Sequence, residues 1–117
     1  MVLHRVVEAL HPIAAIVRIE HLSGPTDSMQ VRLHLQKPTP NLNLAEALRR
    51  HGFEVHSTLD RSVIRANHGN CRLVIQHNNL ASSEVLVVLQ PEKFDGRFIQ
   101  EELSAASQKL AELKNLS

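Results

Sequence analysis

Ile99, Leu103, Ala106, Leu110 and Leu113 are spaced 4, 3, 4 and 3 residues apart. This keeps one stripe of a helix apolar over about two heptads. Glu102, Gln108, Lys109 and Glu112 surround it, and no Gly or Pro follows Gly96. The spacing predicts a C-terminal amphipathic helix over 94–116, on the order of 30 Å long. A stripe of that length must be covered, by the chain's own sheet or by a second helix. Small Ala106 fits close packing on a sheet, and the regular spacing fits a helix partner. Residues 94–106 are expected to cover the chain's own sheet, while the sequence leaves open whether 107–116 packs there too or projects.

The sheet is written in the preceding residues. Met29, Val31, Leu33 and Leu35 alternate with Gln30, Arg32, His34 and Gln36, a period of two that marks a strand with one wet face. Residues 13–22 read as its hairpin partner, across the turn cluster Ser23-Gly24-Pro25-Thr26-Asp27-Ser28. Leu3, Val6, Val7 and Leu10 follow helical spacing, and Pro12 is expected to end that helix. Asn43 with Glu46 has capping-box spacing for a helix over 44–51, and Gly52 suits the left-handed position after it. Short strands are expected over 53–58, 62–66 and 71–77, with Asn67-His68-Gly69-Asn70 as a turn. Val85-Leu86-Val87-Val88-Leu89 is apolar on both faces, so it reads as a central, covered strand or an interface strand. Pro91 stops it.

These elements imply an α+β fold in two layers within a single domain over 1–117. A mostly antiparallel sheet of five to six strands carries helices on one face, with a long C-terminal helix. From residue 29 the order is β-α-β-β-β-β-α. It is similar, in element order alone, to the TATA-binding-protein-like topology among others, and element order carries no function.

Composition narrows the function classes. The chain has 117 residues, 13 Lys and Arg against 12 Asp and Glu, three Phe, and neither Trp nor Tyr. A base-stacking platform is disfavoured without aromatic rings. A single Cys forms no internal disulfide. No run of 18 apolar residues exists, and His4, Arg5, Glu8 and His11 interrupt any leader-like apolar stretch. The expectation is a soluble intracellular protein, of the cytoplasm or, in a eukaryote, the nucleus, with no membrane contact.

Eight histidines invite a metal hypothesis. The tightest cluster, His68 and Cys71 with His77, lacks the second ligand pair a structural zinc site needs, so no metal and no cofactor is expected. Cys71 and His77 lie too far apart on one strand for a thiolate–imidazole pair. Glu54 with His56, and Glu20 with His34 across the first hairpin, are polar pairs of the kind any sheet face carries. The four scattered glycines build no phosphate loop. With no catalytic constellation, the leading expectation is a non-enzymatic protein–protein interaction or assembly module. It is expected to be homodimeric and to act as an adaptor or regulatory subunit. Its interface is expected on Val85, Val87, Leu89, Ile99, Leu103, Ala106, Leu110 and Leu113. The alternative is nucleic-acid or acidic-partner binding by a mildly basic sheet face with Arg18, Arg32, His34, Arg65 and Arg72. A third reading is a small-ligand or enzymatic subunit with a histidine-containing pocket.

Overall fold

The computed structural model describes residues 1–24, 26–56, 62–76 and 83–116. The elements run α1 (Leu3–Ala14), β1 (Ile16–Leu22), β2 (Met29–Leu35), α2 (Asn41–Arg50), β3 (Glu54–His56), β4 (Val63–His68), β5 (Cys71–Gln76), β6 (Glu84–Pro91) and α3 (Gly96–Asn115). The six strands form one antiparallel sheet in the order β1-β2-β6-β5-β4-β3. The α+β expectation holds. β6 enters between β2 and β5, joining the first hairpin to the β3–β5 meander. The strand richest in apolar residues thus takes the middle, where two neighbours satisfy its backbone.

Strand alternation sends Met29, Val31, Leu33, Leu73, Ile75, Val85, Val87 and Leu89 to the helix side, where all are buried. The helices meet them with Leu3, Val6, Val7 and Leu10 of α1, Leu44 and Leu48 of α2, and Ala106 and Leu110 of α3.

Local chemistry moves several boundaries from their expected places. α1 runs through Pro12 to Ala14. Pro12 forfeits the N–H that would meet the Glu8 carbonyl, and with only two helical residues after it the helix carries that single loss. Ala15 then turns left-handed, with φ 51°, and its N–H bonds to the His11 carbonyl. Residues 13–15 thus belong to the helix end, and β1 starts at Ile16. α2 is entered at Pro40, whose carbonyl accepts from Asn43 and Leu44. The expected Asn43 cap is therefore inside the helix: the fixed φ of Pro40 starts it three residues earlier. Gly52 has φ +87°, and Phe53 N–H reaches back to the Leu48 carbonyl, closing the helix as expected. The turn at Gly69 also has positive φ, at +59°. Of the expected strand 53–58, residues 57 and 58 lie outside the described residues, as does His77.

α3 is entered through Asp95, whose Oδ1 accepts the Phe98 N–H at 3.0 Å. It lies alongside α1, and the two run parallel: Glu102 meets Val2 and Leu3, Lys109 meets Glu8, and Lys114 meets Val17. The second half does not project. Leu110 is buried in the core, and Lys114 Nζ donates to the Val17 carbonyl at 2.6 Å. Val17 is the residue at which β1 slips register against β2, so α3 ties down the bulged corner of the edge strand.

The least expected core residue is Glu102, only 1% exposed. Its Oε1 and Oε2 accept the Val2 N–H at 3.0 and 3.1 Å, and Oε2 accepts the Leu3 N–H at 2.8 Å. Val2 supplies no side-chain cap of its own. A glutamate from the last helix therefore caps the first, with its oxygens at the positive end of the α1 dipole.

Candidate interaction surface

Alternation that buries one side of the sheet leaves the other to the remaining residues. No helix core residue packs on that side. Register places its side chains in four cross-strand rows, of which Arg18, His34 and Glu84 form the shortest. One row reads Leu22, Gln30, Val88, Val74, Arg65, His56. The next reads Glu20, Arg32, Leu86, Gln76, Val63. Toward the opposite end, Gln90, Arg72, Asn67 and Glu54 line up. Leu86, Val88 and Val74 are mutual neighbours, all half-buried, and no helix of the described residues packs above them. The result is a small aliphatic centre ringed by long polar side chains.

One corner of the ring is tied together. His34 Nε2 lies 2.8 Å from Glu20 Oε1, and its Nδ1 lies 3.6 Å from Glu84 Oε1. Arg32 spans the same two carboxylates, at 3.4 Å to Glu20 and 3.6 Å to Glu84. The bond from His34 holds the Glu20 carboxyl below the ordinary glutamate range, helped by Arg32. Arg18, Arg65 and Arg72 are exposed and form no ion pair among the described residues. The face thus has Glu20 and Glu84 engaged at one corner, beside Arg18, and the guanidinium groups of Arg65 and Arg72 away from it.

All five residues expected to meet a nucleic acid or acidic partner, Arg18, Arg32, His34, Arg65 and Arg72, share this face. The residues expected at a protein interface do not. Val85, Val87 and Leu89 are fully buried because their alternation phase points under the helices. Ala106 and Leu110 are buried too, and Ile99, Leu103 and Leu113 pack against the same core. Their apolar surface is used within the chain, so an interface along this strand must use its other phase, Leu86 and Val88.

The remaining candidates are dispersed. Cys71 is buried, and burial, aided by the charge of Glu102, pushes its thiol up to about 11. No group of three or more His, Cys, Asp or Glu able to hold a metal ion occurs among the described residues. A cleft of about 530 Å³ opens beside Arg72, lined by Asp27, Asn70, Gln90, Pro91 and Glu92, without histidine or cysteine. No helix among the described residues is long and apolar enough to cross a membrane. Compared with known protein families, curated proteins and solved structures, the chain gives no match.

Proposed function

We propose that the chain is a protein-interaction module, adaptor-like rather than catalytic, and that its docking surface is the helix-free face of the sheet. The observation that supports this is the uncovered aliphatic centre of Leu86, Val88 and Val74 on an otherwise polar face. Apolar area in the middle with a polar rim is the anatomy of an interface that excludes water from its centre. The same face is open to a second copy, the homodimer expected from the sequence.

A nucleic-acid reading draws on the same place, because five basic or histidine residues converge there. Two of the five, Arg32 and His34, already bond to Glu20 and Glu84, which favours the protein reading.

Site-specific photo-crosslinking in the native cell tests the proposal. A photoreactive residue at Gln76, exposed on the face, should give a discrete adduct of higher mass. The same residue at Leu42, 70% exposed on α2, should not. Equal labelling from both positions, or none from position 76, would refute the docking surface.

A further inference from the structure

The charges of the face say what chemistry it fits, given the docking surface proposed above. We propose that its occupant is an acidic aliphatic segment of a partner protein, with carboxylates on both sides of an apolar middle.

The argument starts from which charges are already engaged. Glu20 and Glu84 are held by Arg32 and His34. Arg65 and Arg72 are held by no carboxylate among the described residues, and Arg18 forms no ion pair there, its charge reaching Glu20 only at longer range. Covering an open guanidinium with a neutral surface removes its water and returns nothing. Covering it with a carboxylate forms a charge-assisted pair.

A second copy of the chain is the poorer occupant. It would bring the same three arginines to the interface, against Glu54 on the outer strand β3 and the Asp27 and Glu92 that already share a cleft with Arg72. A nucleic acid would meet the arginines but would set its phosphates beside Leu86, Val88 and Val74. The described residues put no Phe ring on the face for stacking: Phe53 is buried, and Phe94 and Phe98 pack with the helix-side core.

The geometry also sets a spacing. Arg18 lies on β1 and Arg65 on β4, four strand steps apart in the sheet order. Four such steps of roughly 4.8 Å, with an offset of four residues along the strands at roughly 3.3 Å each, put them about 23 Å apart, with the aliphatic centre between them. An extended segment crossing the strands spans this with about six residues between its acids.

The test uses the full chain and fluorescence anisotropy. One labelled peptide carries glutamates on both sides of a leucine–threonine run. Its counterpart carries lysines at the same places. The glutamate peptide should bind at least about tenfold more tightly than the lysine peptide. Arg65→Glu with Arg72→Glu should invert that preference, and Leu86→Gln should weaken both peptides while the melting temperature confirms a folded chain. Equal binding of the two peptides, lost in Leu86→Gln, would overturn the acidic occupant and leave the aliphatic docking face standing. Binding of a labelled oligonucleotide or polyglutamate that Leu86→Gln leaves unchanged would overturn it in favour of a polyanion. Dimerisation abolished by Leu86→Gln, with neither peptide bound, would overturn it in favour of a second copy.

Discussion

Glu102 offers the sharpest test of what holds the helical layer together. Replacing it with alanine strips two backbone N–H groups, of Val2 and Leu3, of their acceptors at 2.8 to 3.1 Å. The site is 1% exposed, so water does not readily replace them. An unsatisfied buried donor costs about 1–3 kcal/mol, and the truncated side chain leaves a cavity as well. Glu102→Ala should therefore destabilise by about 3–5 kcal/mol, a large share of the roughly 5–15 kcal/mol a domain possesses. Glu102→Gln keeps one oxygen acceptor and nearly the same volume but loses the charge at the α1 dipole, so about 1–2 kcal/mol is expected. Unfolding entropy for this length converts 1 kcal/mol to about 4 °C. Thermal unfolding followed by circular dichroism should then show a fall of about 12–20 °C for alanine and about 4–8 °C for glutamine. Glu101→Ala, exposed on the same helix, should stay within about 2 °C, as surface changes usually do. A glutamine variant as stable as the parent would refute the reasoning, because burial of the charge would then cost as much as the dipole returns.

Two further outcomes follow from titratable groups. His11 Nδ1 accepts the Ile16 N–H at 3.0 Å, which requires an unprotonated nitrogen, and burial, then Lys114, lowers its pKa. His4 is lowered by burial, then by the terminal amine and Arg5, and its buried Nδ1 has no hydrogen-bond partner. A lowered folded pKa means the unfolded chain binds protons first, so stability is full above about pH 6.5 and declines as pH falls below it. Melting temperature should drop between pH 7.5 and 5.5, and His11→Asn, which keeps an acceptor, should flatten the slope; a pH-independent melt would contradict this. Cys71, with its thiol raised to about 11, should resist iodoacetamide at pH 8 while folded and react quickly in denaturant. Equal rates in both states would refute its burial.

Much of the secondary structure was legible because it depends on local periodicity. The period-two run from Met29 to Leu35 and the spaced seam of α3 each describe an element that buries one face. Gly52 and Gly69 marked their turns because their positive φ angles are a local steric demand. The boundaries that moved were those where a neighbour distant in sequence intervened. His11 and Lys114 secure the corner at Ala15–Val17, so α1 could run past Pro12.

Sequence alone determined that strand 85–89 is apolar on both faces and that four arginines lie in strands. It did not determine which phase of that strand is covered. That depends on whether α1, α2 and α3 sit above Val85, Val87 and Leu89 or above Leu86 and Val88, and helix placement is a long-range packing outcome. Nor did it bring Glu84 to Arg32 and His34, since that needs β6 to insert between β2 and β5. Glu102 looked like a solvated flank of a helical seam, because its partners are backbone N–H groups at the other end of the chain. Side-chain periodicity belongs to the sequence. Which periodic faces meet, and which one the helices leave bare, was decided by the tertiary structure.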